Sequence, residues 1–129
     1  MRLAREAYER LLAHARADAP VEACGYLGGS EIADRCLPLK NMDASPEHFT
    51  FDPADQFAAV RTLRAEGRRV LAVYHSHPAS PARPSQEDLR LLGDPELLYA
   101  ILSLAGPEPI LKCFRVRDQK SAEEPLEIV

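Results

Sequence analysis

Residues 69–78 read RVLAVYHSHP, and this stretch decides the fold because it joins a buried strand to residues that carry chemistry. Arg69 to His75 is short, apolar and rich in β-branched residues, which is typical of a buried strand. His75 and His77 stand two residues apart at the end of this strand, where the alternation of side chains sends both to the same side. The stretch therefore predicts a strand that presents two imidazoles together.

Helices are predicted on both sides of this strand. Residues 2–17 carry apolar side chains four residues apart in a segment rich in alanine, arginine and glutamate, which predicts an amphipathic helix. Asp52 and Pro53 are suited to cap and begin a second helix that continues to Gly67. A proline-rich loop then leads to Ser85, which is well placed to cap a third helix that ends at residue 93.

The remaining segments predict strands and one long loop. Apolar runs separated by turn residues indicate strands at EACGYLGG (22–29), EIADRCLPLK (31–40), LLYAILSLA (97–105) and PILKCFRVR (109–117), with a short edge strand in the tail EEPLEIV (123–129). Residues 41–52 mix turn residues with phenylalanines and predict a loop that becomes briefly extended. We expect one α/β or α+β domain over residues 1–129.

Composition places the chain in a broad class. Its 129 residues, 46% hydrophobic and 28% charged, suit one compact soluble domain. No stretch is long and apolar enough for a membrane span, and the N-terminus lacks the apolar core of a secretion signal, so we expect a cytoplasmic protein with no membrane partner. A net charge of −4 argues against a nucleic-acid partner.

The cysteines favour neither a disulfide framework nor a cysteine-zinc site, because Cys24, Cys36 and Cys113 are odd in number and form no CxxC pair. We expect buried free thiols. Cys24 as a protease nucleophile finds no supporting motif, and a zinc nucleobase deaminase would need H-x-E and P-C-x-x-C strings that do not occur. His14 and His48 are expected to face solvent.

His75, His77 and Asp88 together could form a metal site. Asp88 lies eleven residues beyond His77, and the loop and helix start between them can return its carboxylate to the two imidazoles. Two histidines and one carboxylate leave the fourth position of zinc open for water, which is the pattern of a catalytic site. Taken singly, the histidines could be hydrogen-bond donors, Asp88 could be a first-turn acid and Ser85 only a helix cap.

The order and spacing of a longer set of residues resembles the signature of the JAMM (MPN-plus) metallopeptidases. That signature joins a distant glutamate to H-S/T-H-P, a variable loop and S-x-x-D. The matching residues here are Glu22, His75, Ser76, His77, Pro78, Ser85 and Asp88. The resemblance extends over nearly the whole chain and implies a single MPN/JAMM domain, with a mixed, mostly antiparallel sheet flanked by helices, similar to cytidine deaminases.

The resemblance also implies a role for each motif residue. His75, His77 and Asp88 would ligate one zinc ion, Glu22 would act as general base and acid, and Ser85 would help to stabilise the tetrahedral intermediate. Zinc lowers the pKa of a bound water to about 7, and a nearby carboxylate can accept that proton and deliver it to the leaving amine.

Two residues of the motif also allow other interpretations. Ser76 is expected to be a spacer that points away from the metal. Glu22 could be a surface glutamate on a strand, although Ala23 and Cys24 beside it suggest partial burial, where an unpaired carboxylate is costly.

In its short length, the chain is most similar to the small bacterial members of that family. Those members act on ubiquitin-like sulfur-carrier proteins that end in Gly-Gly, and they release a C-terminal extension or an amino acid such as cysteine. The resemblance therefore implies such a carrier as partner and a role that includes cysteine biosynthesis. Two alternative functions stay open: a deubiquitinase-like isopeptidase, and a non-catalytic, zinc-stabilised module that binds Gly-Gly tails. A homodimer also stays open as the oligomeric state.

The loops beside the motif suggest where a carrier tail would bind. We expect the loop from Met42 to Phe51 and the loop from Ala79 to Pro84 to form the walls of a groove, with Phe49 and Phe51 contacting the substrate. A flexible diglycine tail could enter such a groove as an extended strand and pair with an exposed sheet edge.

Overall fold

Eight strands and three helices make up the chain in the computed structural model, which describes residues 1–129. In chain order they are β1 (Arg2–Leu3), α1 (Arg5–Asp18), β2 (Cys24–Gly29), β3 (Ile32–Leu39), α2 (Pro53–Ala65), β4 (Arg69–His77), α3 (Gln86–Leu91), β5 (Leu98–Ser103), β6 (Ile110–Arg117), β7 (Lys120–Glu124) and β8 (Glu127–Ile128).

All eight strands form one sheet, in the order β7-β6-β5-β4-β2-β3-β1-β8. The β2–β3, β2–β4, β5–β6 and β6–β7 pairs are antiparallel, whereas β4–β5, β1–β3 and β1–β8 are parallel. The predicted mixed, mostly antiparallel sheet with flanking helices is confirmed. Because β4 is an interior strand, its last residues lie far from both sheet edges, which are β7 and β8.

Alternate residues of β4 enter two different apolar clusters. Ala72 and Tyr74 belong to a cluster that also contains Leu11 of α1, and Val73 belongs to a cluster that contains Ala59 of α2. The two helices therefore cover opposite faces of the sheet, and the alternation places His75 and His77 on the face of Val73, away from α1.

Local sequence signals account for where the helices begin. The side chain of Asp52 accepts a hydrogen bond from the Ala54 N–H, and Pro53 occupies the first turn of α2, as predicted. The first helix begins at Arg5 and not at residue 2, because Arg2 and Leu3 pair with β3 and β8 as a short strand. The strand β7 was not predicted, since its KSAEE sequence has no apolar alternation.

The environment of His14 contradicts the expectation that it faces solvent. Its Nδ1 lies 2.6 Å from the hydroxyl oxygen of Tyr74, its Nε2 lies 3.0 Å from Asp18 Oδ2, and its side chain is only 12% exposed. The three cysteines are buried and free, as expected. No helix is long and apolar enough to cross a bilayer.

Candidate metal centre

The two histidines at the end of β4 converge on one carboxylate. The Nε2 atoms of His75 and His77 lie 3.1 Å apart, and each lies 3.1 Å from Oδ2 of Asp88. All three side chains are buried, with no more than 5% of any of these residues exposed. The three residues predicted as ligands therefore lie together in the structure, and their candidate ligand atoms form a nearly equilateral triangle.

A helix cap holds Asp88 in this position. Its backbone N–H donates a hydrogen bond to Ser85 Oγ at 3.0 Å, and its Oδ2 accepts one from the Ser85 N–H at 2.9 Å, which together form a capping box at the start of α3. The oxygen that completes the cap is the same oxygen that faces the histidines. Asp88 is thus a first-turn acid and a potential ligand at once.

A backbone carbonyl fixes the tautomer of His77. Its Nδ1 lies 2.8 Å from the carbonyl oxygen of Pro81, and because a carbonyl only accepts, Nδ1 must carry the hydrogen. The Nε2 atom of the neutral ring therefore directs a lone pair at the centre of the triangle, as in metal-binding histidines whose other nitrogen is held by an oxygen. His75 instead packs against the ring of Phe49, with centroids 4.9 Å apart, and its buried Nδ1 has no partner.

The electrostatics favour positive charge inside the triangle. Burial lowers the pKa of His75. Burial also opposes protonation of His77, but the neighbouring Asp88 carboxylate and Pro81 carbonyl outweigh burial and raise its pKa. Burial alone would raise the pKa of Asp88, yet the hydrogen bonds with both histidines hold it well below its usual range. A negative oxygen and two basic nitrogens therefore converge on a point that a cation would stabilise.

The size of the triangle suits a tetrahedral metal ion. Zinc bonds of about 2.0–2.1 Å at tetrahedral angles separate neighbouring ligand atoms by about 3.3 Å. The three separations of 3.1 Å fall close to this value. The residues present fit a zinc ion with three protein ligands and an open fourth position.

Glu22 lies just before β2, and its side chain shares a cavity with His77. It is only 2% exposed, and its Oε1 has no hydrogen-bond partner. Burial raises the pKa of this carboxyl group to about 8. It lines a cavity of about 470 Å³ together with His77 and Ser85. An unpartnered carboxyl group with a raised pKa, beside a candidate metal site, is suited to exchanging protons.

Both loops that were predicted as groove walls contribute to this cavity. Pro46 and Glu47 come from the first loop, and Ala79 and Ser80 come from the second. The expectation that Phe49 and Phe51 contact substrate does not fit the structure, because both pack inward. Phe49 lies against His75 and Phe51, and Phe51 lies against Tyr26.

The cavity also holds polar groups that sequence reasoning did not single out. Glu47 and Glu87 line it without an ion-pair partner, and no lysine or arginine lines it. Asn41 is buried and donates hydrogen bonds to the carbonyls of Glu22 and His48, at 3.1 and 3.0 Å. No local pattern marks Asn41, because its role depends on the carbonyl of Glu22, which is 19 residues away along the chain.

This chain is similar in sequence to one known protein family and to other proteins over most of its length. The family model described as prokaryotic homologs of the JAB domain matches residues 4–128. The CysO-cysteine peptidase of Mycobacterium tuberculosis is 35% identical over 123 residues, which cover 92% of this chain and 84% of that protein.

Solved structures are similar over almost the full length. A solution structure of a Desulfitobacterium hafniense protein has a TM-score of 0.92 and 46% identity, covering 99% of this chain and 92% of the other. A structure described as JAMM, a metalloprotease-like zinc site in the proteasome and signalosome, has a TM-score of 0.66 and 25% identity, covering 100% and 97%.

Proposed function

Because this chain belongs to the family of prokaryotic homologs of the JAB domain, we propose that it is a zinc-dependent metallopeptidase of ubiquitin-like sulfur-carrier proteins. It hydrolyses the amide bond that follows the C-terminal Gly-Gly of the carrier and releases an amino acid such as cysteine, or a short extension. The observation that carries the proposal is the convergence of a buried histidine, histidine and aspartate triangle with the unpartnered carboxyl group of Glu22 in one cavity.

In this proposal, His75 and His77 would hold one zinc ion through Nε2, and Asp88 would hold it through Oδ2, because these three atoms converge. When bound, zinc is a Lewis acid that lowers the pKa of a coordinated water to about 7 and polarises a carbonyl. The Pro81 carbonyl and the Ser85 N–H fix His77 and Asp88 respectively, so two of the three ligands are oriented before any metal arrives.

Glu22 moves the proton. Its carboxylate accepts a proton from the attacking water and delivers it to the leaving nitrogen, which would otherwise depart as an unstable anion. Burial raises the pKa of this carboxyl group to about 8 in the metal-free site, so its carboxylate is a stronger base than that of an exposed glutamate. Burial also keeps bulk water from competing for that proton.

Ser85 stabilises the oxygen of the carbonyl under attack. Its Oγ accepts the hydrogen bond from the Asp88 N–H, so its hydroxyl hydrogen is not used by the helix cap. Since Ser85 lines the cavity, that hydrogen can be donated to the oxyanion of the tetrahedral intermediate. Capping and catalysis therefore use different atoms of one hydroxyl group.

The order of the strands in the sheet limits where a carrier tail can bind. Sheet-edge pairing would require β7 or β8, and neither is adjacent to β4 in the sheet. An extended tail would instead lie in the cavity between Glu47 of the first loop and Ser80 of the second. Glycine residues suit this passage because they have no side chain to exclude. The similarity to the CysO-cysteine peptidase supports this class of substrate.

The proposal is tested by mass spectrometry of a carrier protein that bears a C-terminal extension, incubated with wild type and with Glu22→Gln. We expect wild type alone to shorten the carrier to its diglycine end. Binding of the carrier without cleavage by wild type, at full zinc loading, would favour a non-catalytic module that binds Gly-Gly tails.

A further inference from the structure

The last step of the ladder between β2 and β4 departs from the usual pattern. Cys24 lies opposite His75, so Ala23 and Ser76 are the next pair in this antiparallel register. The Ser76 N–H donates to the Ala23 carbonyl at 2.9 Å, as a ladder requires. The Ala23 N–H, however, donates to the side-chain Oγ of Ser76 at 2.8 Å and not to its carbonyl. A hydroxyl group thus replaces a main-chain acceptor where β2 begins.

That hydroxyl acts on the peptide unit that carries Glu22. The Ala23 N–H and the Glu22 carbonyl belong to one planar peptide group. Ser76 Oγ holds the N–H end of this group at 2.8 Å, and Asn41 Nδ2 holds the carbonyl end at 3.1 Å. The Glu22 N–H is held in turn by the Ser45 carbonyl at 2.9 Å. Hydrogen bonds therefore hold the Glu22 N–H, the Glu22 carbonyl and the Ala23 N–H.

The side chain of Glu22 has no such support. Its Oε1 has no hydrogen-bond partner, and no hydrogen bond to Oε2 is present either. No hydrogen bond therefore fixes the carboxyl group, and its position relative to the histidines depends on packing and on the backbone that carries it. Ser76 ties that backbone to the strand of the ligands through both its N–H and its Oγ. Ser76 lies between His75 and His77 in β4, so one residue couples the general base to both imidazoles.

Burial shows that the hydroxyl group is used and is not incidental. Ser76 is 1% exposed, and Ala23 is the residue to which its Oγ is hydrogen-bonded. A buried hydroxyl is costly unless it is hydrogen-bonded, so an apolar residue would pack here at lower cost if packing were the only requirement.

From these contacts we propose that Ser76 is a positioning residue that sets the distance between the Glu22 carboxyl group and the two histidines. The inference rests on the proposed hydrolytic role of Glu22. It replaces the expectation that Ser76 is only a spacer: its side chain does point away from the ligands, and it does so in order to hold Ala23.

The kinetic test uses three variants in the zinc-loaded full chain. We expect Ser76→Ala to lower kcat by about 10- to 100-fold, because a misplacement of about 1 Å in a reacting group can cost about 100-fold, while KM and zinc content stay at wild-type values. Ser76→Thr keeps the hydroxyl group and should recover most of the loss. In a Glu22→Gln background, adding Ser76→Ala should cost nothing further, because the effect passes through Glu22.

Two outcomes of this test would overturn the inference. One is a kcat of Ser76→Ala within twofold of wild type. The other is a loss of equal size in the Glu22→Gln background, which would mean that Ser76 acts on the protein as a whole. If wild type itself cleaves no carrier, it is the proposed function that fails, and the structural measurement below still decides the role of Ser76.

Crystal structures of zinc-loaded Ser76→Ala and Ser76→Thr give a readout that is independent of activity. We expect the Glu22 carboxyl group to move by about 1 Å or more from its wild-type distance to His75 Nε2 in the alanine variant only, a displacement that suffices for a large catalytic loss. An unmoved carboxyl group in Ser76→Ala would contradict the positioning role.

Discussion

The Oδ2 atom of Asp88 accepts a hydrogen bond from the Ser85 N–H at 2.9 Å, so the helix cap of α3 and the metal triangle share one oxygen atom. This sharing couples the folding of a short helix to the construction of the site. It also means that two roles of Asp88, its charge and its capping, can be separated by substitution.

Asp88→Asn should keep most of the cap and lose the metal, since the asparagine carbonyl still accepts from Ser85 but carries no charge. We expect zinc affinity to fall by more than the roughly 10- to 100-fold that is lost when a hydrogen-bond partner of a metal ligand is removed. Asp88→Ala should lose affinity similarly. In the metal-free protein it should also lose about 1 kcal/mol of stability, the usual net contribution of one hydrogen bond, because the Ser85 N–H loses its acceptor. Zinc titration and thermal unfolding check both. Wild-type zinc affinity in Asp88→Asn would rule out this carboxylate as a ligand.

Ser85→Gly should separate catalysis from capping. Glycine is tolerated at helix N-caps at a cost of a few tenths of a kcal/mol, so the fold should be preserved. Loss of the hydroxyl group should lower kcat by about 100- to 1000-fold, the usual effect of removing one oxyanion donor. Steady-state kinetics on a carrier protein measures this, with Ser30→Gly, an exposed serine in the turn between β2 and β3, as the matched control. A kcat near wild type would leave Ser85 with the capping role alone.

The raised pKa of Glu22 predicts an unusual pH dependence for the stability of the protein after a chelator has removed any metal. Because its folded pKa, about 8, lies above the ordinary 4.5, the folded state holds this proton more tightly than the unfolded state does. Its contribution to stability is therefore full below about pH 4.5 and is lost as the pH rises towards 8.

Glu22→Gln removes this titration. The variant should gain stability relative to wild type between pH 5 and pH 8, as measured by urea unfolding in a chelator. A stability difference between the two proteins that does not change with pH would show that Glu22 titrates normally.

The unpaired carboxylates of Glu47 and Glu87 predict a preference for leaving groups that carry no negative charge near the scissile bond. Substituting either with glutamine should raise kcat/KM for a carrier that releases a free amino acid, relative to one that releases the corresponding amide, by about two- to fivefold. Glu108→Gln, an exposed glutamate outside the cavity, is the control. Ratios equal to that of wild type would mean that these charges do not reach the substrate.

Local signals predicted the parts of the site that depend on neighbouring residues. The alternation of β4 brought His75 and His77 to one side, and the S-x-x-D spacing anticipated the cap that holds Asp88. The position of Glu22 could come only from family resemblance, because the β2–β4 pairing that brings it close joins residues that are far apart in sequence.

Other features depended on distant partners and were missed or misjudged. Phe49 was expected to meet substrate but packs on His75, and His14 was expected in solvent but meets Tyr74. The hydroxyl group of Ser76 has its partner at Ala23, on another strand. Each of these contacts exists only after the sheet has formed, so no periodicity along the chain could reveal it.

The most direct test of a catalytic zinc centre is the zinc content of the purified protein, measured per chain for wild type, His77→Ala and His48→Ala. His48 is the matched control because it is a partly exposed histidine that pairs with Asp43 in a loop. We expect one zinc per chain in wild type and in His48→Ala, and a loss of most of it in His77→Ala. Full zinc retention in His77→Ala would contradict the account.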